Sequence, residues 1–483
     1  MARFFCETKR LGAGYIRMET AIAPDRWKRE HAVHLLSRAC LGASPAEVNS
    51  ALKSNPRQTV ETLLAGDRDD DLFPVPDSIA NKELYTALAE RMAAVRNDPA
   101  AKDALMKEAR QFDIRAAQEL RGWWITRLRH SPHALRETMT LFWHGHFASG
   151  MQKVRNPRFL WAQNETFRAH ALGNFAELAK EMPRDPAMMR YLDIAGSSAA
   201  NPNENFAREL MELFLLGEGN YSEEDIRQAA RAFTGYRINP LTQTVSHIPR
   251  RADTGEKSLF GKTGNFDSDA VVDILLGRLQ CAPFIAAKIW KFFAGSDPSP
   301  ILAHKLGERF RGGGYEIKPL LREIFLSSEF YSPKVVGTQI KSPVQWLVGT
   351  SKSLETPLTG SRVEQDALKQ LGQMLFEPPS VKGWDGGRSW ISASTFINRC
   401  NLSSTLFLSR QSPDPARLFP ADVRGSAESL YEAVAARMLV VRPTAKEKER
   451  LISFVNERGL PASDSTISDL LHLVMSLPEY QIT

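Results

Sequence analysis

Most of the chain carries apolar residues at helical spacing. The runs 82–95 and 101–130 are long, compatible with helix throughout, and rich in Ala, Leu, Glu and Arg. Start signals recur between such runs: Ser44 precedes Pro45 and Glu47 in the order expected of an N-cap, an N1 proline and a capping box. Because this pattern repeats along most of the sequence, it predicts a predominantly all-α fold.

Two intervals break the helical pattern. Residues 235–269 combine turn dipeptides with alternating polar and apolar positions, which predicts a small β-hairpin or ordered loop inserted in the helical body. Residues 377–387 are rich in Pro and Gly. We therefore divide the chain into an N-terminal extension predicted to be disordered (1–26), a helical part (27–236), a β-containing insertion (237–268), a second helical part with a Trp/Gly-rich loop (269–410), and a linker with closing helices (411–483).

Composition narrows the class of protein. Of 483 residues, 43% are hydrophobic, which is enough to bury a large core. The 62 Lys and Arg exceed the 56 Asp and Glu by only six, without dense basic blocks, so we expect no nucleic-acid partner. The four cysteines lack CxxC spacing, which argues against a zinc knuckle or a disulfide scaffold.

The distribution of apolar residues also indicates where in the cell we expect the protein. No apolar run is long enough to span a bilayer, so we expect no membrane span. The N-terminus lacks the apolar core of a conventional signal peptide, which favours a cytoplasmic location. The pattern leaves the oligomeric state open.

The segment 135–147 holds two histidines, and His146 shares the apolar face of the predicted helix. His144 lies about 160° away around the same helix. Ligands at i and i+2 cannot chelate one metal from a continuous helix, so the two form a joint metal site only if the helix ends near Trp143. The alternative is one core histidine and one surface histidine.

The segment 201–217 carries charges on an otherwise apolar helix, which predicts burial of that helix. Glu204, Arg208 and Glu212 lie at i, i+4 and i+8, with Glu209 beside them. One interpretation is a Glu204–Arg208–Glu212 ion ladder. The other makes Glu209 or Glu212 a general acid or base, or a metal ligand, and Arg208 the side chain that orients an anionic group. Glu204 would be a divalent-metal ligand beside the two histidines.

The stretch 255–263 has the look of a phosphate-binding P-loop, but five residues separate its glycines where four are needed. We therefore interpret it as a turn whose Lys262 contacts a partner or substrate.

The loop within 376–401 sets two tryptophans and charged side chains among glycines. Such aromatic side chains suit stacking on sugar rings. The alternative is that both tryptophans only anchor the loop to the helices. The candidate substrate-binding residues here are Trp384, Asp385, Arg388 and Trp390.

Several long blocks, in this order along the chain, resemble the bacterial domain-of-unknown-function 1800 family, and the resemblance extends from about residue 30 to the C-terminus. They are 34–48, 142–147, 203–236, 260–276, 341–350 and 381–401. The resemblance implies a helical protein without an established reaction. It also implies frequent export, often with twin-arginine-type leaders, and genes beside those of phosphatase-like domain-of-unknown-function 1501 proteins. It supplies no catalytic residues.

Two main hypotheses follow. The first is an enzyme that uses metal-assisted or carboxylate acid/base chemistry on a polar substrate, such as a saccharide or an envelope component, with His146, Arg208, Glu209 and Glu212 at its centre. The second is a non-enzymatic binding partner of a domain-of-unknown-function 1501 protein, which the resemblance would place outside the cytoplasm. A third, less developed hypothesis is a haem or redox protein using His146.

Overall fold

The computed structural model describes residues 22–66, 72–408 and 414–483. Helices account for 64% of the described residues, which confirms the predicted all-α fold. Most of the predicted N-terminal extension and the start of the predicted C-terminal linker lie outside the described residues.

The first half of the described chain holds thirteen α-helices. The long runs predicted at 82–95 and 101–130 correspond to α5 and α6, and Ser44 caps α2 through the predicted capping box. The helices are α1 (Arg29–Ala39), α2 (Pro45–Leu52), α3 (Pro56–Leu64), α4 (Asp77–Ala80), α5 (Lys82–Ala94), α6 (Pro99–His130), α7 (Ala134–His146), α8 (Met151–Val154), α9 (Pro157–His170), α10 (Phe175–Glu181), α11 (Pro186–Tyr191), α12 (Asn205–Glu209) and α13 (Glu223–Ala232).

A π-helix, Leu210–Leu215, continues directly from α12. Short 3₁₀ turns fill several connections: Pro24–Arg26, Met182–Arg184, Ile194–Gly196, Pro249–Arg251, Gly387–Trp390 and Pro478–Gln481. The second half of the described chain holds α14 (Ser268–Leu276), α15 (Cys281–Ala294), α16 (Pro300–Gly312), α17 (Ile317–Leu326), α18 (Pro343–Ser353), α19 (Arg362–Gln370), α20 (Ala393–Phe407), α21 (Pro415–Leu418), α22 (Ala421–Arg424), α23 (Ala427–Met438), α24 (Ala445–Arg458) and α25 (Asp464–Met475).

The predicted β insertion consists of two short antiparallel hairpins. Strand β1 (Tyr236–Asn239) pairs with β2 (Thr244–His247), and β3 (Lys257–Leu259) pairs with β4 (Lys262–Gly264). The two pairs form separate two-stranded sheets. Hairpins this small depend on packing for their stability, and β3 does so by burying Leu259 in the helical core.

Two apolar cores fill the helical body, and α7 contributes side chains to both. Met139 and Trp143 belong to the first core, whereas Leu141 belongs to the second. All but two of the residues of α7 are buried; the exceptions are Ala134 and Gly145. In the described ranges, no single helix is long and apolar enough to cross a membrane; α14 and α15 would pass that test together but are bent by 77°.

A fully buried ion cluster fixes the N-terminal part of α7. The Glu137 carboxylate accepts hydrogen bonds from Arg168 Nε at 2.6 Å, Arg127 Nε at 3.2 Å and Trp124 Nε1 at 3.1 Å. Burial alone would raise the pKa of Glu137, but the two guanidinium groups hold it below its usual value. The charge of this carboxylate is therefore matched by hydrogen-bonded partners inside the core.

Candidate functional site

Helix α7 continues through both histidines, so the condition for a joint metal site is not met. The His144 ring lies 5.3 Å from the Trp124 ring and 5.2 Å from the Phe376 ring, centroid to centroid. The His146 ring lies against the first core, 4.5 Å from the Phe147 ring, centroid to centroid. The two imidazoles therefore diverge, as helical geometry requires for i and i+2. The alternative of one surface histidine is also wrong, because both side chains are buried.

His144 serves as a hydrogen-bond acceptor inside the second core. Its Nε2 accepts the backbone N–H of Phe376 at 3.1 Å. Because an accepting nitrogen carries no proton, the neutral ring has its hydrogen on Nδ1. Burial lowers the pKa of His144 to about 3, so the ring stays neutral.

His146 forms a pair with Lys288 of α15. Its Nε2 lies 3.0 Å from the carbonyl oxygen of Phe214, which can only accept, so Nε2 carries the proton. Its Nδ1 lies 3.2 Å from Lys288 Nζ and accepts from it. Burial, together with the nearby Lys288 charge, holds the pKa of His146 well below its usual value.

The π-helix Leu210–Leu215 supplies the carbonyl groups that this pair binds. Lys288 Nζ donates to Leu213 O at 2.8 Å, and His146 donates to Phe214 O. Carbonyls at a helix C-terminus have no partner within the helix and must be satisfied from outside. His146 thus reaches the predicted carboxylate helix through its backbone, and π-helical turns often occur at functional sites.

The charged side chains of that helix form a different network from the predicted ladder. Arg208 donates to both carboxylate oxygens of Glu223, at 2.7 and 2.8 Å, and lies 3.4 Å from Glu204. Glu212 instead accepts from the Tyr221 hydroxyl at 2.7 Å. The ladder therefore ends on Glu223 of α13, because the helix widens between Arg208 and Glu212. The apolar face is buried as predicted, but the charged side chains are only half-buried.

Glu209 has an environment of its own. Burial raises its pKa, and the neighbouring Glu212 carboxylate raises it further, against the opposing charges of Lys382 and Arg208. A half-buried carboxyl whose pKa is raised in this way retains a proton at higher pH than usual, which is what a general acid needs.

The structure does not assemble the predicted metal ligands. Glu204 pairs with Arg208, while His144 and His146 make hydrogen bonds in opposite directions. Across residues 22–66, 72–408 and 414–483, no three or more His, Cys, Asp or Glu side chains are grouped as a metal ion would require.

The Trp/Gly-rich loop packs directly on α7 through a glycine pair. Gly383 has a φ of +76°, and a Cβ added there would lie 2.1 Å from the Gly145 carbonyl oxygen. Only glycine allows this approach, because it tolerates a positive φ and has no Cβ. The contact holds the next residue, Trp384, with its ring 5.6 Å from that of His144, centroid to centroid.

A cavity of about 510 Å³ opens between α7, α15 and this loop. Its aromatic lining includes Phe142, Phe292, Trp384 and Trp390. Four cationic side chains line it, against one acidic residue, Asp385; the cations are Arg38, Lys288, Lys291 and Lys382. His146 also lines it and stays neutral. The cavity therefore has a net positive wall beside flat aromatic surfaces.

A comparison with protein families gives a match over nearly the whole chain. A family described as "Protein of unknown function (DUF1800)" matches residues 34–482. The chain belongs to the DUF1800 family. No curated protein and no solved structure matches it.

Within this DUF1800 chain, the cavity unites some of the predicted site residues and not others. His146, Trp384, Asp385 and Trp390 line it. Trp390 is buried and anchors the loop, whereas Trp384 is half-buried. Stacking of Trp384 on a ligand stays a prediction. Arg388 and Lys262 are exposed and are not among the residues lining it; Lys262 lies on β4.

The sequence pattern did not indicate Lys288, which contacts His146 at the cavity wall. The sequence does contain a signal that could have indicated Lys288, because the run 281–294 is apolar except for two lysines. Burial lowers the pKa of Lys288 to about 8. A titratable group with a shifted pKa that also lines a cavity is a functional-site candidate.

Proposed function

We propose that this protein binds an anionic small molecule with a ring-shaped body, of the acidic saccharide class, in the cavity between α7, α15 and the 381–390 loop. The observation that carries the proposal is the excess of cationic over acidic side chains beside aromatic faces. Ligand sites of this size are commonly apolar pockets with a few polar groups that fix orientation.

The cations do not contribute equally. Arg38 is committed to the carbonyl oxygens of Phe293 and Val335, at 2.8 and 2.9 Å. Lys291 forms an exposed ion pair with Asp297 at 3.0 Å. Lys288 and Lys382 are therefore the side chains that we expect to meet the negative group of the ligand.

A second candidate function adds chemistry to binding. The raised pKa of Glu209 and its electrostatic interaction with Lys382 favour carboxylate acid/base catalysis next to the loop. In this version Glu209 donates the proton, and the Tyr221 hydroxyl holds the neighbouring Glu212 carboxylate in place. Turnover that falls at least a hundredfold in Glu209→Gln, with binding unchanged, would support it.

The proposal is tested by calorimetric titration with glucuronate, galacturonate and sugar phosphates, each compared with its neutral parent sugar at fixed ionic strength. We expect only the anionic members to bind, and Lys382→Met to weaken them about tenfold. The matched control is Lys262→Met, an exposed lysine on β4 outside the cavity lining. Equal binding of neutral and anionic sugars, or equal effects of the two variants, contradicts the proposal.

The partner hypothesis stays a prediction, as does the location of the protein. Its test is co-purification with the neighbouring domain-of-unknown-function 1501 protein, using Arg388→Ala on the exposed loop as the disruptive variant. Unchanged co-purification in that variant would argue against the loop as the contact.

A further inference from the structure

The ammonium of Lys288 is held in one position at the cavity wall. Its Nζ donates to Leu213 O at 2.8 Å and to His146 Nδ1 at 3.2 Å, and it lies 4.9 Å from the centre of the Phe284 ring. A primary amine that donates two hydrogen bonds in this way has one further site on its nitrogen. In the neutral amine that position is the lone pair, and in the ammonium it is the third N–H.

The neighbouring groups form the arrangement expected of an activated nucleophile. Such sites place a nucleophile within hydrogen-bond reach of a base, which a third group orients. Here Lys288 Nζ is the nucleophile, His146 Nδ1 the base, and the Phe214 carbonyl the orienting group, through its 3.0 Å contact with His146 Nε2. The carbonyl fixes the tautomer that leaves Nδ1 able to accept a proton.

We propose that Lys288 is the reactive amine of this cavity and forms an imine with an aldehyde or ketone group of an anionic ligand. This inference rests on the proposed function, because the same cavity must first hold the anion. It goes further by assigning the ligand a carbonyl group and the protein a covalent step.

The step balances without a redox partner. The neutral Nζ attacks the carbonyl carbon, a C–N bond forms, and the C=O π bond breaks. His146 Nδ1 takes the two protons of the adduct nitrogen one after the other and passes each to the former carbonyl oxygen. The C–O bond then breaks, the nitrogen lone pair completes the C=N bond, and the oxygen leaves as water. The products are the imine and one water molecule, and His146 is again neutral.

Burial supports this chemistry by making the neutral amine accessible near neutral pH. With the pKa of Lys288 lowered to about 8, roughly a quarter of the amine is neutral at pH 7.5. A lysine with an ordinary pKa of about 10.4 is neutral roughly 0.1% of the time at that pH. His146 is the titratable group that faces Lys288 Nζ within hydrogen-bond distance in the described structure.

The experiment uses pyridoxal 5′-phosphate, an aromatic aldehyde that carries a phosphate. The full-length protein is incubated with less than one equivalent at pH 7.5, reduced with borohydride and mapped by peptide mass spectrometry. We expect Lys288 to carry at least about tenfold more label than Lys291, which lines the same cavity one turn away. The labelling rate should rise with pH and level off above about pH 8.

Three variants separate reactivity from folding. Lys288→Arg keeps the positive charge and donors for Leu213 O and His146 but cannot form an imine, so the label should disappear while the urea unfolding midpoint stays close to that of the wild type. Lys291→Met should leave the label on Lys288 unchanged. His146→Gln should slow labelling about tenfold without moving the pH midpoint, since burial sets that midpoint.

The outcomes separate this inference from the proposed function. Calorimetric binding of the probe without label on Lys288 overturns the inference and leaves the proposed function standing. Label mainly on Lys291 or Lys382 also overturns it. Neither binding nor label contradicts both.

Discussion

Helix α7 carries two buried polar clusters that differ in what surrounds them. Near its start, Glu137 meets Arg127 and Arg168 inside the core, and positive and negative charges lie in direct contact. At its end, His146 meets Lys288 and backbone carbonyls, and a cavity lies beside them. The first cluster pairs a carboxylate with cations, whereas the second sets an ammonium beside neutral groups.

Burial of charge does not by itself identify a functional site. A buried ion pair with complete hydrogen bonding is costly to break but has nothing left to offer a ligand. A cation held by neutral acceptors at a cavity wall retains its attraction for an anion. We therefore expect the Glu137 cluster to contribute to stability, whereas the Lys288–His146 pair is the one that we propose for binding.

The largest effect that would test this division is expected for Glu137→Gln. Removing the carboxylate charge takes away the counterion that Arg127 and Arg168 share, although Arg168 keeps its ion pair with Glu165. The free energy of unfolding should therefore fall by about 3–5 kcal/mol. Urea denaturation measures it. The matched control is Glu108→Gln, which breaks the exposed pair with Arg91 and should change little. If the free energy of unfolding falls no more in Glu137→Gln than in the control, the cluster does not stabilise the fold.

The next effect concerns the attachment of the loop to α7. In Gly383→Ala the new Cβ meets the Gly145 carbonyl, so the loop must shift and Trp384 leaves its position on the cavity. Gly387→Ala is the control, because its φ of +55° is also left-handed but nothing lies within 4 Å. We expect Gly383→Ala to cost about 1–3 kcal/mol more than Gly387→Ala in thermal unfolding, and to weaken ligand binding. If both variants behave alike, the glycine contact does not position the loop.

His144 provides a pH test of the second core. Its pKa is about 3 in the folded state and 6.5 in the unfolded chain, so between these values the unfolded state binds more protons. Stability should therefore fall as the pH drops from 6.5, with a slope approaching about 1.4 kcal/mol per pH unit from this residue.

The measurement compares urea unfolding of the wild type and His144→Gln between pH 4 and 7. The comparison is needed because burial raises the pKa of Asp185 to about 7, which makes its contribution run in the opposite direction. We expect the slope of the free energy of unfolding against pH to be smaller in the variant by up to about 1.4 kcal/mol per pH unit. Parallel pH profiles would show that His144 does not remain neutral on folding.

The smallest effect is expected at the charged network of α12. Arg208→Gln removes partly exposed ion pairs with Glu204 and Glu223, so the free energy of unfolding should change by less than about 1 kcal/mol. Chemical denaturation at low and high salt checks this value, with any loss disappearing at high salt. A salt-independent loss of several kcal/mol in the free energy of unfolding would show that this network stabilises the fold as the Glu137 cluster does.

Part of the candidate site could be predicted from local sequence. Helical periodicity correctly separated the directions of His144 and His146, because side-chain direction depends only on position along a helix. It also identified the apolar face of 201–217 and the interruption at 235–269. The same periodicity could not anticipate the π-helix at Leu210–Leu215, which moved Glu212 out of the predicted ladder and onto Tyr221.

The sequence by itself determined the helical class, the position of the β insertion, the start of α2 at Ser44, and the presence of aromatic and glycine residues in the 376–401 loop. These depend on periodicity, capping and turn propensity, which are local properties. Only the tertiary structure decided that Gly383 rests on Gly145, and that Lys288 meets His146 at a cavity. The reason is physical: these contacts join segments more than a hundred residues apart, and burial, which sets the charge state of Lys288, exists only once those segments pack together.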